Sequence, residues 1–525
     1  MSRIPRWAAS LLALAALAAR AEEPVKTVCT ITVNSADEKQ AMAARLPKGR
    51  YAFVELVEKG RGDWLRSACQ RHVQCDALVI SGHFNAGETF YSDRVEVSDH
   101  LEIDELERAA CSESCPGVFA NLKEVYLFGC ESLNPDATKY SSSYGESGRD
   151  RMRRIFANVP RIYGFSGAAP VGATAAAVLH RYFDATGGSG FATGRANPAL
   201  LQAFHRNSMV QVAGVRAGEA EDGYRHQVCQ FFDERQDAAR KLAFVHTLLQ
   251  ADMPHARQFF RRMEKVFAAA SPGEREAPAF QQALARIAAD DAPRGRFLAF
   301  LRNAEPGERA RLIDLAANLH WLAGDALRDE RIALVNDLLQ RPRLAYSDVD
   351  LACSLDEDGG IAAARSRLAW PSAAHERVAH AAVMACLGDA RARGVALRGL
   401  ASADEADVQS AQAYLRHHPI EGSDLRTAVA SVGGMPASTA QVRALEALAR
   451  LNINDPLAFA ELARIYAAAR SPDVQRAVAE VFLRGDVAAV DKPRLAGVLQ
   501  QHRIASRAAP SDLIDVLLRS LAPAT

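Results

Sequence analysis

Two residues with the chemistry of a nucleophile and a base each follow a short apolar segment. Cys130 follows VYLFG over residues 125–129, and His83 follows ALVISG over residues 77–82. Each segment is typical of a buried strand, and neighbouring strands of a sheet lie about 4.8 Å apart. A thiolate nucleophile needs an adjacent base that takes its proton. If the two strands are neighbours, thiol and imidazole lie side by side at the carboxyl edge, where open α/β sheets bind ligands.

The strands that must position this pair belong to an alternating pattern that runs from Thr27 to about Phe232. Apolar or β-branched segments predict strands over 27–33, 51–57, 77–82, 125–129 and 161–167. Helical segments lie between or after them, over 36–46, 62–70, 148–159 and 173–185. This alternation predicts a mostly parallel α/β sheet with helices on both faces.

From about Asp233 the strand pattern ends, and the rest of the chain is predicted to be all-α. Apolar residues recur at i, i+3, i+4 and i+7, which predicts helices over 238–250, 309–323, 330–340, 376–388, 407–418, 440–451 and 473–484. Breakers such as Gly433-Gly434 separate them. Serial helix pairs favour an α-solenoid of the HEAT kind. Because the repeat period is not regular, an irregular all-α domain is the alternative.

The N-terminus has the pattern of an export signal. Arg3 and Arg6 precede the apolar run AASLLALAALAA, which leads into Ala19-Arg20-Ala21. This predicts a secretory signal peptide cleaved after Ala21 and a secreted or periplasmic bacterial protein, with an uncleaved membrane anchor as the alternative. The predicted division is a signal peptide over 1–21, an α/β domain over 22–232 and a helical domain over 233–525.

The charge balance and hydropathy exclude two classes of partner. The 525 residues include 63 Lys and Arg and 63 Asp and Glu, so no global field attracts nucleic acid or an anionic membrane. No later apolar run approaches 18 residues, so no membrane span is expected after signal cleavage. An α-solenoid would present an extended surface for a protein or peptide partner, and no cofactor or metal is predicted.

Nine cysteines are expected to pair in an oxidising compartment, and their odd number leaves at least one thiol. Cys111 and Cys115 flank a polar loop and are predicted to form one disulfide; Cys69 and Cys75 bracket a helix-to-strand turn and form a second candidate pair. A Cys-x3-Cys spacing could also begin a metal site, but no second ligand pair follows at zinc-like spacing, which favours the disulfide. Cys29 is predicted to be a buried core residue.

The blocks around the pair resemble those of the caspase-like cysteine peptidases (clan CD, which includes separases, gingipains and CHAT-domain proteases). In that family one strand ends in a Ser-His-Gly or Gly-His-Gly block and a following strand ends in Ala-Cys or Gly-Cys. The corresponding blocks here are Ser81-Gly82-His83-Phe84 and Phe128-Gly129-Cys130. Residues 163–183 look like the CHAT-type strand and helix after the nucleophile. The resemblance covers residues from about 25 to 230.

The resemblance implies an exported cysteine endopeptidase. Cys130 would be the nucleophile, and His83 would act as general base and then general acid. Backbone N–H groups around Gly82, Phe84 and Gly129 would hold the oxyanion. The helical domain would dock a substrate or a partner protein. Phe84 departs from the family, which usually has glycine there, and this puts the backbone conformation of the oxyanion site in question.

A second hypothesis comes from a different class of function. Either residue alone is more often a buried cysteine or a hydrogen-bonded histidine, so the chain could be a catalytically inactive caspase-like pseudoenzyme that acts as a protein-binding scaffold. The nearby acidic residues Glu88, Asp93 and Glu131 could orient His83 or bind a basic substrate. The glycine-rich segment 187–194 lacks the Gly-Lys-Ser/Thr of a P-loop and is predicted to be a loop near the rim of the site.

Overall fold

A computed structural model of the chain describes residues 24–56, 73–85, 88–92, 100–112, 116–136, 147–356, 359–370, 376–504 and 512–522. These residues fall into two compact units, one ending at Pro293 and the other beginning at Arg294. The predicted signal peptide, the predicted helix over 62–70 and the residues Cys69, Asp93 and Cys115 lie outside the described residues.

Nine strands are described in the first unit: β1 (Lys26–Thr32), β2 (Tyr51–Glu55), β3 (Ala77–Ser81), β4 (His83–Asn85), β5 (Thr89–Tyr91), β6 (His100–Glu102), β7 (Glu124–Phe128), β8 (Arg161–Phe165) and β9 (Met209–Val212). Six of them form one sheet in the order β2-β1-β3-β7-β8-β9. Its pairs are parallel except for β9, which runs antiparallel to β8. The predicted neighbours β3 and β7 are therefore paired directly.

Helices cover both faces of this sheet, as the alternating sequence pattern predicts. The described helices of this part are α1 (Asp37–Arg45), α2 (Ile103–Cys111), α3 (Pro116–Phe119), α4 (Gly148–Ile155), α5 (Ala173–Thr186), α6 (Pro198–Ala203) and α7 (Ala220–Phe232). Leu78 and Ile80 of β3 belong to the core that packs against α2, α3 and α4. Ala77 and Val79 belong to the core on the opposite face, against α1, α5 and α6. This alternation is the period of two that a strand imposes.

A small antiparallel sheet of β4, β5 and β6 lies beyond the carboxyl end of β3. Gly82 alone separates β3 from β4, so the chain passes from the large sheet into the small one at the residue before His83. Each of these strands has three residues. That length is too short to show a strand periodicity, which is why the sequence did not predict them.

The first unit continues past the last strand into further helices: α8 (Ala238–Gln250), α9 (Met253–Arg257), α10 (Phe260–Ala269), α11 (Pro272–Glu276) and α12 (Pro278–Ala288). A disulfide joins Cys111 of α2 to Cys229 of α7. The buried Glu107 of α2 forms ion pairs with Arg151 of α4 and Arg262 of α10. These links explain why the compact unit extends to Pro293; the domain boundary at 232/233 stays a prediction.

The second unit is helical throughout its described residues, as predicted. After α13 (Asp291–Arg302), in which the two units divide, it contains α14 (Pro306–Asn318), α15 (Gly324–Leu339), α16 (Tyr346–Ser354), α17 (Gly360–Ala363), α18 (Val378–Cys386), α19 (Ala390–Arg398), α20 (Glu405–His417), α21 (Gly422–Gly433), α22 (Thr439–Ala449), α23 (Pro456–Ala468), α24 (Pro472–Arg484), α25 (Lys492–His502) and α26 (Leu513–Leu521). Alternate helices pack in succession: the even-numbered helices α16 to α26 form one row, and α21, α23 and α25 form another. Such stacking is typical of helical repeats.

Buried polar side chains recur where these helix pairs stack. Gln441 of α22 donates to the carbonyl of Val432, at the end of α21, over 3.0 Å. Gln475 of α24, 34 residues later in the sequence, donates to the carbonyl of Tyr466 in α23 over 3.2 Å. Both satisfy carbonyl groups that a helix terminus leaves without an intrahelical partner. The recurrence is consistent with a repeat, although the HEAT kind stays a prediction.

Three disulfides are present among the described cysteines: Cys29–Cys75, Cys111–Cys229 and Cys353–Cys386. The predicted pairs Cys111–Cys115 and Cys69–Cys75 are therefore wrong. Both predicted pairs join cysteines that are close in the sequence, whereas the fold brings together distant ones: Cys29 lies in β1, and Cys75 lies two residues before the neighbouring strand β3. Cys29 is buried, as predicted, but it is disulfide-bonded.

Disulfides are compatible with an exported protein. No helix among the described residues is long and apolar enough to cross a membrane.

Candidate functional site

The register of β3 and β7 places His83 and Cys130 at matching positions. Ser81 pairs with Phe128, and the N–H of Gly82 donates to the carbonyl of Phe128 over 3.0 Å. His83 lies two residues beyond Ser81, and Cys130 lies two residues beyond Phe128. The imidazole and the thiol therefore belong to adjacent chain segments at the carboxyl edge of the sheet.

Two glycines let the chain segments converge at this edge. A Cβ on Gly129 would lie 2.7 Å from both the Cβ of Phe84 and the Cε1 of Phe90, which is closer than real Cβ contacts allow. A Cβ on Gly82 would lie 3.1 Å from the Cβ of Val33, beyond the end of β1. Glycine before the cysteine is thus required by packing, because the β4–β5 hairpin lies directly against the end of β7.

Phe84 has a structural explanation that the sequence did not supply. It lies in β4 opposite Phe90, with ring centroids 4.5 Å apart, and its side chain is buried in the core. Phe84 is not among the described residues with positive φ, so its backbone needs no glycine. The aromatic residue fills the space that the hairpin leaves over Gly129.

The backbone N–H groups around the predicted oxyanion site differ in their hydrogen bonding. The N–H of Gly82 donates to the carbonyl of Phe128, and the role of Gly82 in the oxyanion site stays a prediction. The backbone N–H of Cys130 makes no hydrogen bond to another described residue. The roles of Phe84 and Gly129 stay predictions.

His83 is held on one side by an aromatic ring. It is half-buried and pairs in the small sheet with Tyr91, whose ring centroid lies 5.5 Å from that of the imidazole. The Nε2 atom of His83 is buried. Tyr91 itself is 39 % exposed, so this side of the pair lies near the surface.

Cys130 is half-buried and is the one described cysteine outside the disulfides. Its sulfur accepts a hydrogen bond from the N–H of Ala169 over 3.4 Å. An N–H donor beside the sulfur favours negative charge there. Because the other described cysteines form disulfides, Cys130 is the described cysteine whose thiol is the candidate for reaction.

Hydrogen bonds connect the turn after Cys130 to the end of β8. Glu131 adopts φ of 56°, and its N–H donates to the carbonyl of Gly167 over 2.8 Å. Ser132 is fully buried, and its hydroxyl accepts the N–H of Phe165 over 3.1 Å. A Cβ on Gly164 would lie 2.7 Å from that hydroxyl oxygen. Ser132 was not singled out by sequence reasoning, because only its place directly after the cysteine could have marked it.

Glu38 is a second residue that sequence reasoning missed. It lies in the first turn of α1 and is buried, and its Oε1 accepts the N–H of Gly172 over 2.6 Å. The hydroxyl of Ser35 donates to Oε2 over 3.5 Å. Burial raises the pKa of Glu38 to about 7. An acidic residue in the first turn of a helix usually lies in solvent, so the sequence carried no signal for this role.

The acidic residues that were predicted near the pair have more specific partners. Glu88 forms an ion pair with Arg261 of α10 over 3.0 Å, so it is bound to a cation of the protein. Glu131 shapes the turn after Cys130 through its backbone, as described above. Asp93 lies outside the described residues.

The glycine-rich segment lies at the opposite edge of the sheet. The backbone N–H groups of Ala192, Thr193 and Gly194 all donate to the carboxylate of Glu124, over 2.7 to 2.9 Å. Glu124 is the first residue of β7. The predicted position at the rim of the site is therefore wrong: this loop covers the amino edge.

Comparison with known proteins supplies no relative. No family model, no curated protein and no solved structure matches the chain. The described residues also contain no group of three or more His, Cys, Asp and Glu that could hold a metal ion. The site must therefore be interpreted from its own geometry.

Proposed function

We propose that this chain is an exported cysteine endopeptidase with a caspase-like α/β domain, in which Cys130 and His83 form the catalytic dyad. The observation that supports the proposal is the parallel pairing of β3 with β7: His83 and Cys130 each lie two residues beyond the last paired positions, Ser81 and Phe128. A nucleophile and its base must lie in neighbouring positions for proton transfer. The disulfide-free state of Cys130 among the described cysteines supports the same role.

The chemistry follows from the two side chains. His83 takes the proton of the Cys130 thiol, and the thiolate attacks the carbonyl carbon of a peptide bond. The backbone N–H of Cys130, which makes no hydrogen bond to another described residue, is suited to receive the oxyanion. The imidazolium returns its proton to the leaving amine, which leaves an acyl-enzyme. His83 then deprotonates a water molecule that hydrolyses the thioester and restores the thiol.

The second unit is proposed to dock a protein substrate or partner. Its described helices pack in successive rows, and stacked helix pairs expose extended surfaces that are suited to binding proteins. The partner chemistry is that of a protein or peptide, since the balanced charge of the chain offers no general attraction for polyanions.

A pseudoenzyme scaffold is the second candidate. It is favoured by the internal hydrogen bond of the Gly82 N–H, which engages one predicted oxyanion donor. It is also favoured by the contact of the Cys130 sulfur with the backbone of Ala169, since a buried structural cysteine would make the same contact.

A thiol-reactive peptide probe separates the two candidates. In the wild-type protein the probe should label Cys130, and the labelled residue is identified by mass spectrometry of the digested protein. His83→Ala should reduce the labelling rate by about 100-fold or more, because the thiol loses its base. His100→Ala, in β6 of the same small sheet, is the matched control and should label like wild type. Equal labelling of wild type and His83→Ala would refute the peptidase.

A further inference from the structure

A single loop connects the thiol to the buried Glu38. Residues 166–172, here called the thiol loop, run from the end of β8 to the start of α5. The carbonyl of Gly167 accepts the N–H of Glu131, and the N–H of Ala169 donates to the sulfur of Cys130. At its far end the N–H of Gly172 donates to Glu38. The loop therefore touches the nucleophile at one point and the buried carboxyl group at another, three residues apart.

The anchor at Glu38 is short and enclosed. The distance from the Gly172 nitrogen to Oε1 is 2.6 Å, and Glu38 is 1 % exposed. Gly172 has φ of 58°, and a Cβ there would lie 3.3 Å from Asp37 and from Ser35. Positive φ favours glycine, so the loop closes against the start of α1 at a position where both its backbone conformation and its close packing favour glycine.

The charged groups around Glu38 are few. Asp37, its neighbour on α1, is the charged residue that acts on the Glu38 carboxyl group. Lys39 of the same helix pairs with Glu55 of β2. Asp184 of the packed helix α5 pairs with Arg45 at the far end of α1, where Arg45 also contacts His180. The described cations near α1 are thus engaged with other groups.

We propose that Glu38 is a positioning residue for Cys130: its carboxyl group holds the thiol loop so that the N–H of Ala169 faces the sulfur. This rests on the proposed function of Cys130 as the nucleophile. When ionised, Glu38 accepts hydrogen bonds from both Gly172 and Ser35. When protonated, one oxygen becomes a donor, and it then faces groups that also donate. The loop should therefore be held more firmly by the ionised form.

The consequence is a second titration in the reactivity of Cys130. Since burial raises the pKa of Glu38 to about 7, its charge changes near neutral pH. As the pH rises through this range the carboxylate tightens the loop, so the alkylation rate should rise in addition to the rise due to the thiol itself. A group with a purely structural role would produce no such inflection.

The test measures the rate of alkylation of Cys130 by iodoacetamide between pH 5 and pH 9 in the full-length protein, with the modified peptide identified by mass spectrometry. Glu38→Gln should abolish the inflection near pH 7 and lower the rate at pH 8 by about tenfold, because the donor is no longer held in place. Lys39→Ala, one residue away but paired with Glu55, is the control and should keep the inflection.

Asp37→Asn provides a second test that leaves Glu38 in place. Removing the neighbouring negative charge lowers the pKa of Glu38, so the inflection should move to lower pH while the rate at pH 9 is kept. A wild-type profile without an inflection near pH 7, or profiles of Glu38→Gln and Asp37→Asn that match wild type, would overturn the proposal. Since iodoacetamide needs no peptidase activity, this result is distinct from the outcome of the His83→Ala probe experiment.

Discussion

The two edges of the sheet each contain a buried glutamate, and the two are satisfied to different degrees. At the amino edge Glu124 is fully buried and accepts three backbone N–H groups, together with the hydroxyl of Tyr126. At the carboxyl edge Glu38 is 1 % exposed; the backbone N–H of Gly172 and the more distant hydroxyl of Ser35 donate to its carboxylate, and its own backbone N–H also acts on it. The hydroxyl of Thr193 also donates to Glu124 over 3.4 Å, so the glutamate at the amino edge has more donors than the one at the carboxyl edge.

This difference in the number of donors fits a structural role for Glu124 and the functional role proposed for Glu38. The donors around Glu124 fix the loop over the amino edge, and burial raises the pKa of Tyr126, with the Glu124 charge adding to the effect, so that its hydroxyl stays a donor. Glu38 has too few donors to offset its burial, so its pKa is raised to about 7. The edge that carries Cys130 and His83 is therefore also the edge whose buried acid can change charge near neutral pH.

The largest expected effect is at the amino edge. Glu124→Ala removes the acceptor of three backbone N–H groups and of the Tyr126 hydroxyl, and the bonds of Ala192 and Tyr126 are buried. It should lower the free energy of unfolding by about 4 kcal/mol. Thr193→Ala removes a hydroxyl that contacts the same carboxylate over 3.4 Å and also bonds the backbone of Gly190 and Arg195. Because those two backbone bonds are exposed, this variant should cost only about 1 kcal/mol. Urea unfolding of both variants measures this, and similar losses would contradict the structural role of Glu124.

A smaller effect with the opposite sign is expected at the carboxyl edge. Because the pKa of Glu38 is higher in the folded protein (about 7 against 4.5), the folded state binds more protons between these values. The free energy of unfolding should therefore fall as pH rises from about 4.5 to about 7, by at most ~3 kcal/mol. Glu38→Gln should remove this decline and be the more stable protein at pH 8.

The control for that prediction compares the stability of wild type and Glu38→Gln against urea at low pH. At pH 4.5 Glu38 is protonated in the fold, so wild type and Glu38→Gln should unfold at similar urea concentrations. If the stability of Glu38→Gln declined between pH 4.5 and 7 as steeply as that of wild type, Glu38 would not be the group that titrates, and the comparison of the two edges would lose its basis.

The strands that precede His83 and Cys130 could be predicted from the sequence because their signal is local. The predicted strand over 77–82 is observed as Ala77–Ser81, and the predicted helix over 173–185 is observed as Ala173–Thr186. Continuous apolar composition marks buried strands, and a period near 3.6 marks helices. The adjacency of the strands that precede His83 and Cys130 was a condition of the sequence-based hypothesis, and the pairing of β3 with β7 shows it.

The features that could not be predicted depend on contacts between distant residues. The disulfide partners of Cys75 and Cys111, which are Cys29 and Cys229, are set by strand and helix neighbours rather than by sequence spacing. The roles of Glu38 and Glu124 depend on loops that fold back to them from 134 and about 70 residues away. An acidic residue in the sequence gives no sign of whether it will be solvated or buried.

An experimental structure of the protein with a peptide probe bound is the most direct test of the dyad. The predicted result is a thioether bond between the probe and the Cys130 sulfur, with a ring nitrogen of His83 within about 4 Å of that sulfur. The structure should also keep Ala169 beside the sulfur. A His83 imidazole turned away from Cys130, or a probe attached to another side chain, would contradict the proposed peptidase and favour the protein-binding scaffold.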